Sequence, residues 1–311
     1  MFSSTLPPAF APNLAVPICV IFNPAARGYK ANRFRKFIEL IGREAVLRST
    51  SAPNSAVALA AAAVREGFDT IVAAGGDGTL NEVINGICSV PGGRAKTRLG
   101  ILPVGTMNVF ARELGLPLAV HAAWQTIQRG SEIWVDLAAA EFGTGGISQK
   151  RYFIQMAGAG LDARAIELVD FGTKKVVGPI AYVLAGLKAL HSPQPKIRVK
   201  TAEVEIEGEL VLLGNGRLYG GPFRVFPEAT PFDGLLDVCV FPKANYGMLA
   251  LCGPVLLATR KLPANAVRRF KANTVRLESA AHVPVEVDGE FAGQLPVTFT
   301  VETQTLRVIA P

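Results

Sequence analysis

The chain has 311 residues, half of them hydrophobic and 18% charged, and its 32 lysines and arginines against 25 acids give a net charge of +7. That length suits about two domains, and the apolar balance excludes a disordered, fibrous or collagen-like chain. The basic excess favours anionic partners, and charge alone does not choose among nucleotides, nucleic acid and acidic membrane surfaces.

The first 26 residues carry no charged side chain. No basic leader precedes them, and Pro7, Pro8, Pro12, Pro17 and Pro24 interrupt any helix, so neither a signal peptide nor a membrane anchor is expected. The uncharged stretch from Asn245 to Thr259 falls short of the roughly 20 apolar residues that span a bilayer. Cys19, Cys88, Cys239 and Cys252 have no CxxC spacing, and His121, His191 and His282 are scattered. They read as ordinary packed or surface residues rather than a zinc site or disulfide framework, and a cytoplasmic location is expected.

From Val16 to about Gly130, apolar runs alternate with helical periodicity. A strand is expected over Pro17 to Phe22, then a helix with Phe34, Phe37, Ile38 and Ile41 on one stripe. Further on come a strand ending at Thr50, an Ala-rich helix from Asn54 to Glu66, a buried strand from Thr70 to Ala74 and a helix starting at Thr79. A strand over Leu99 to Pro103 and a helix over Pro117 to Gln128 complete a doubly wound, Rossmann-like α/β nucleotide-binding domain over residues 1–131. After Ile133 come β-branched runs at Arg151 to Ala157, Lys196 to Ile206, Leu210 to Leu213, Leu235 to Phe241, Thr274 to Leu277, Val283 to Val287 and Val297 to Ile309. They predict a β-sandwich over residues 132–311, with its C-terminal tail packing back on the first domain.

The densest chemistry lies at Gly75-Gly76-Asp77-Gly78-Thr79-Leu-Asn-Glu82, where a buried strand runs through three glycines into a helix. Glycines let backbone N–H groups approach a phosphate, and a helix N-terminus favours negative charge. Asp77 puts a carboxylate beside such phosphates, suited to Mg²⁺, and Thr79 and Glu82 have capping-box spacing. A tight turn without ligand is the plainer alternative.

These residues resemble the nucleotide-binding signature of the diacylglycerol kinase catalytic-domain family, which includes soluble bacterial lipid kinases and sphingosine kinases and whose fold is NAD kinase-like. Asn23-Pro24-Ala25-Ala26-Arg27-Gly28 resembles the family's Asn-Pro-x-Ser-Gly turn, with Ala26 and Arg27 in place of Ser and Gly. Gly105-Thr106-Met107-Asn108 resembles its next loop, and Asp136, Gly214-Asn215-Gly216, Asp233-Gly234-Leu235 and Asp288-Gly289-Glu290 follow in family order. The resemblance covers Pro17 to Pro311. It implies ATP as phosphoryl donor with Mg²⁺, and nucleotide contacts from Asn23, Arg27, Gly28, Thr50, Gly75, Gly76, Asp77, Gly78, Thr79, Glu82, Gly105, Thr106 and Asn108. It also implies Glu290 as general base, with Asp288 orienting it or joining the metal, and Asp77 and Asp136 in the Mg²⁺ network. A structural Mg²⁺ is implied on Asp233 with the carbonyls of Thr230 and Leu235. One departure stands out: the family usually has Asp after the loop Asn, and this chain has Val109.

By spacing alone Asp288-Gly-Glu290 reads first as a hairpin turn, Asp233-Gly234 is equally an ordinary turn, and Thr106 is an N-cap for the helix bearing Phe110. Gly158-Ala-Gly160-Leu-Asp-Ala163 mimics a dinucleotide fingerprint but lacks the acidic strand end that should follow. Val176, Ile180, Val183, Leu184, Leu187 and Leu190 form an apolar helical stripe, for packing or for a membrane interface. Arg260, Lys261, Arg268, Arg269, Lys271 and Arg276 occur with no acid between them, as a solvated face or a dock for anionic lipid; no nucleic-acid module accompanies them. The expected activity is ATP-dependent phosphorylation of a lipid hydroxyl, diacylglycerol first and a sphingoid base second, at a membrane surface, by a peripheral protein compatible with a homodimer. An NAD kinase and a noncatalytic nucleotide- or lipid-binding regulator are the alternatives.

Overall fold

The computed structural model describes residues 18–24, 39, 41–143, 149–168, 190–191 and 193–311. Arg27, Gly28, the stripe over 34–38 and the 176–189 segment lie outside the described residues.

The N-terminal region runs β1 (Ile18–Phe22), β2 (Val46–Ser49), α1 (Ser55–Arg65), β3 (Thr70–Gly75), α2 (Asp77–Cys88), α3 (Gly93–Lys96), β4 (Arg98–Pro103), α4 (Val109–Glu113) and α5 (Val120–Arg129). The strands lie parallel in the order β2-β1-β3-β4. Every residue of β3 is buried, as a strand covered on both faces requires. One face packs on α1, α2 and α4 through Ala56, Ala60, Val83, Ile84 and Phe110, and the other on Ile41 and on Ala123, Trp124 and Ile127 of α5. The alanine face of α1 allows close approach of α2: a Cβ on Gly86 would stand 2.7 Å from that of Ala60.

The second region runs β5 (Glu132–Phe142), β6 (Gln149–Phe153), β7 (Met156–Gly160), α6 (Leu161–Leu168), β8 (Ile197–Lys200), β9 (Glu205–Gly208), β10 (Leu210–Gly214), β11 (Leu236–Phe241), α7 (Tyr246–Thr259), β12 (Arg268–Ala272), β13 (Thr274–Glu278), β14 (Pro284–Val287), β15 (Glu290–Gln294) and β16 (Val297–Ile309). An antiparallel sheet, β12-β11-β10-β7-β14-β15, faces an extension of the first sheet formed by β5, β6, β16, β13, β8 and β9. Alternating Val, Leu and Phe fill the space between the two sheets, with Phe153 and Phe299 edge to face at 5.9 Å. The N-terminal half of β16 pairs with β13 and β5, and beyond a bulge after Glu302 its Arg307 and Val308 run parallel to β4. The last strand thus stitches the two regions into one ten-stranded sheet.

Several expectations need correction. The helix after β3 begins at Asp77, not Thr79, with Gly76 as its cap residue and no side-chain cap, so the Thr79–Glu82 capping box does not form. The run Arg151 to Ala157 is two strands, because the N–H groups of Ile154, Gln155 and Met156 turn aside to the Asp288 carboxylate. Lys196 to Ile206 likewise divides into the hairpin β8–β9. Gly158 and Gly160, expected beyond a strand ending at Ala157, are inside β7. Asn245–Thr259, legible only as an uncharged stretch, is a helix that Asn245 caps by accepting the Met248 N–H at 2.9 Å.

Candidate active site

The carboxyl ends of β1, β2, β3 and β4 share one edge, the place where open α/β sheets bind ligands. There the Asn23 N–H bonds the Ala74 carbonyl, the Thr50 N–H bonds the Phe22 carbonyl, and the Val104 and Gly105 N–H groups bond the Gly75 carbonyl at 3.0 and 3.1 Å. Four predicted segments, around Asn23, Thr50, Gly75 and Gly105, are therefore adjacent. The glycines are required by these contacts. A side chain on Gly75 would overlap Thr79, and one on Gly105 would overlap the backbone of Gly76 and stand 2.7 Å from Asn108 Oδ1. What remains is a backbone-lined cradle ahead of α2, whose N-terminal dipole suits phosphate.

Asn108 has φ 48° and ties its loop by donating to the Gly105 carbonyl at 2.9 Å. Its own Oδ1 is buried without a partner. Thr106 is exposed and does not cap α4; Asn108 holds the cap position, and the Val109 N–H is capped from a distance by Asp77 Oδ1 at 2.6 Å. Burial pushes the Asp77 carboxyl above its ordinary range, against the pull of the Val109, Phe110 and Asn108 N–H groups, with Asp288 adding to the rise. Glu82 points away from the cradle and clamps α1, accepting the N–H groups of Asn54 and Ala56 at 3.0 and 2.9 Å.

The turn between β14 and β15 closes over this edge. Glu290 Oε1 lies 2.6 Å from where a Cβ on Gly78 would stand, so the carboxylate rests on the first turn of α2. Its Oε2 accepts from Arg151 at 2.7 Å, and Arg151 also reaches the Phe291 carbonyl. Asp288, at φ 48°, accepts four bonds: from Asn81 Nδ2 at 2.8 Å and from the N–H groups of Ile154, Gln155 and Met156 at 3.0 to 3.1 Å. Burial raises its carboxyl despite these donors. So engaged, Asp288 is an anchor that fixes the turn and leaves Glu290, paired with Arg151 on one oxygen, as the turn's carboxylate toward the cradle. Sequence reasoning missed Asn81 and Arg151; Asn81 lies inside the Gly75–Glu82 stretch and carried a readable signal, whereas nothing local marks Arg151.

Asp136 is not brought to Asp77. Its two oxygens accept the Gly234 and Gln304 N–H groups, both at 2.7 Å, and its own N–H bonds the Pro231 carbonyl. It therefore braces the loop that holds Asp233. There Lys271 Nζ lies 2.8 Å from Asp233 Oδ2, 2.8 Å from the Glu228 carbonyl and 3.3 Å from Asp237 Oδ2, and Asp233 Oδ1 accepts the Leu235 N–H. With an ammonium already on that carboxylate, a structural Mg²⁺ at Thr230, Asp233 and Leu235 does not fit. Among the described residues no three or more His, Cys, Asp or Glu side chains converge as a metal cage. At the cradle the requirement is smaller. Mg²⁺ keeps several waters and needs only one or two carboxylates plus phosphates, so Asp77 fits that role, and the buried Val109 side chain contributes nothing to it.

An α/β sheet edge carrying a phosphate cradle, faced by a carboxylate on a sandwich turn, defines a phosphotransferase with two cooperating layers. The diacylglycerol kinase catalytic domain matches residues 17–140, and the YegS C-terminal NAD kinase beta sandwich-like domain matches residues 155–310. A diacylglycerol kinase of Staphylococcus saprophyticus is 34% identical over 284 residues, 88% of this chain and 87% of that protein. One from Bacillus subtilis is 30% identical over 307 residues, covering 94% and 95%. A crystal structure of a diacylglycerol kinase from Bacillus anthracis superimposes with a TM-score of 0.73 at 23% identity, covering 95% of this chain and 97% of that one, which speaks to the fold alone. The chain belongs to the diacylglycerol kinase family of lipid kinases.

Proposed function

We propose that the protein transfers the γ-phosphoryl group of ATP to a lipid hydroxyl, with diacylglycerol as the leading acceptor and phosphatidic acid as the product. The observation that carries this reading is the Glu290 carboxylate lying against Gly78 in the phosphate cradle. Asn23, Thr50, Thr79, Thr106 and Asn108 border the nucleotide, with its phosphates over Gly75 to Gly78. Mg²⁺, held by Asp77 when bound, neutralises charge on the phosphates. Glu290 takes the acceptor's hydroxyl proton as the lipid oxygen forms its bond to the γ-phosphorus and the bond to the β-phosphate oxygen breaks, releasing ADP. A positioned carboxylate contributes roughly 10²–10⁴-fold. Arg151 holds that carboxylate in place on one oxygen and Asp288 holds the turn, both as positioning residues.

The test is labelled ATP with Mg²⁺ against diacylglycerol, a sphingoid base and a mixed lipid extract, with products identified by mass spectrometry. Label in phosphatidic acid is the expected result. No labelled lipid from any acceptor overturns the reading. Label in NADP, when NAD is offered, would redirect it to the NAD kinase alternative. Nucleotide binding by calorimetry without transfer would redirect it to a regulator.

A further inference from the structure

We infer that α7 is the element by which the protein docks on an anionic lipid surface, its outer stripe entering the interface and the basic residues around its ends, most of them at the C-terminal one, gripping the headgroups. The inference deepens the lipid-acceptor reading and rests on it. A surface helix of a folded domain ordinarily turns an apolar stripe inward and a charged one outward. The 14 residues of α7 contain no charged side chain, and only Cys252 is buried. Its inner side, Met248, Leu249, Cys252 and Leu256, packs on the core cluster beneath the β12–β15 sheet. Its outer side consists of Gly247, Ala250, Leu251, Pro254, Leu257 and Ala258, all exposed, with Leu251 at 52% and Leu257 at 74%. Positions 247, 250, 251, 254 and 258 follow i, i+3, i+4, i+7 and i+11, so among the described residues this is one continuous apolar face open to solvent. At about 1.5 Å per residue the helix is far too short to cross a bilayer.

Charge selects the occupant. Arg260 and Lys261 follow the last turn, Arg224 and Arg268 flank that end, and Lys243 precedes the cap at the other; all five are exposed. Arg224 and Lys261 are bridged backbone to backbone, and the Arg224 N–H bonds the Arg260 carbonyl at 2.7 Å. Lys243 is partly neutralised by Glu209 at 3.0 Å, so the C-terminal end carries most of the positive field. No Asp or Glu occurs between Asp237 and Glu278. A second copy of this chain would bring its own basic rim against this one, whereas an anionic bilayer supplies both an apolar interior and opposite charge. The core cluster under α7 includes Met156, whose N–H bonds Asp288, so the dock and the Glu290 turn share one rigid support.

The experiment is sedimentation of the full chain with vesicles of phosphatidylglycerol or of phosphatidylcholine. It is paired with phosphorylation of diacylglycerol embedded in those vesicles and of a short-chain, water-dispersed diacylglycerol. The wild type should bind phosphatidylglycerol vesicles preferentially. Leu251→Glu with Leu257→Glu should lower that binding and the transfer to embedded acceptor by at least about tenfold, and transfer to the dispersed acceptor should be unchanged. Arg260→Gln with Lys261→Gln should weaken binding by about fivefold per charge removed. Equal binding of both vesicle types by the wild type, undiminished binding by the leucine variant, or a dimer that the leucine variant splits overturns the inference. Loss of transfer to every acceptor with vesicle binding intact instead counts against the kinase reading and leaves the dock standing.

Discussion

Glu290 and Gly78 are in contact across the whole fold: one oxygen of the carboxylate occupies the space a side chain at Gly78 would need. A Cβ at Gly78 would displace that oxygen, which is the mobile end of the Glu290 side chain. Gly78→Ala should push Glu290 aside by a fraction of an ångström and lower kcat by about 10²-fold, as small misplacements of reacting groups do. Glu290→Gln should lower kcat by about 10²–10⁴-fold while nucleotide binding by calorimetry stays near wild type. Wild-type kcat in Glu290→Gln would remove Glu290 from the proton transfer, and in Gly78→Ala would show that the carboxylate works from a shifted position.

Asp77 has a structural duty beside the chemical one proposed for it, because it caps α4 by accepting the Val109 N–H. Asn at this position keeps an acceptor oxygen and loses the charge; Ala loses both. Asp77→Asn should abolish turnover and the Mg²⁺ dependence of nucleotide binding, with Tm close to wild type. Asp77→Ala should cost about 1 kcal/mol more from the lost cap, a Tm decrease of about 1–2 °C by calorimetry. Full turnover in Asp77→Asn would take the residue out of the mechanism.

The cradle was legible because its requirements are local: strand, glycines, acid and helix follow within a dozen residues. The doubly wound region was legible for the same reason, since β2, β3 and β4 are each followed by a helix that packs on the sheet. The opposite wall was not. Asn81 meets Asp288 across 207 residues of sequence, and a side chain whose partner arrives from another region has no periodicity to betray it. Resemblance supplied Asp288 and Glu290 but not Arg151. It also grouped Asp136 with Asp77, whereas the fold spends both oxygens of Asp136 on backbone N–H groups beside Asp233. The split of the expected strand at Ile154 has the same origin, an Asp288 carboxylate drawing off the N–H groups that would have continued the ladder.

Lys271 gives the Asp233 loop an internal cation. Burial would lower its ammonium pKa, but the hydrogen bond to Asp233 and the charges of Asp237 and Asp233 outweigh that and raise it. The wild type should therefore show no Tm response to millimolar Mg²⁺ or Ca²⁺ without nucleotide. Lys271→Ala should lose about 1 kcal/mol, a modest value because the pair is partly solvated, and should recover it when Ca²⁺ is added. Stabilisation of the wild type by divalent cation at this loop, seen as a shift that Asp233→Asn abolishes, would show that the lysine yields its place to metal.

Glu286 and Asp162 make a stability switch behind the Asp288–Glu290 turn. Glu286 is fully buried; its Oε2 accepts the Gly289 N–H at 2.8 Å, between Asp288 and Glu290, and its Oε1 has no donor. Asp162 Oδ1 is bonded by the Tyr219 hydroxyl, while its Oδ2 also lacks a donor. The two bare oxygens lie 2.9 and 2.7 Å from the point where a Cβ on Gly158 would stand, so they face each other and one proton between them satisfies both. Burial, and then the Asp162 charge, raise the Glu286 carboxyl well above its ordinary 4.5. The folded pKa thus exceeds the unfolded one, and the native protein holds a proton that the unfolded chain releases. This stabilisation is complete below about pH 4.5 and is lost as pH rises toward the folded value, at about 1.4 kcal/mol per unit. Glu286→Gln supplies a permanent donor to Asp162 and removes that loss. Its unfolding free energy in urea should be flatter than wild type between about pH 5 and 8 and should exceed it at the alkaline end. Parallel pH curves for the two proteins would mean that the pair carries no shared proton.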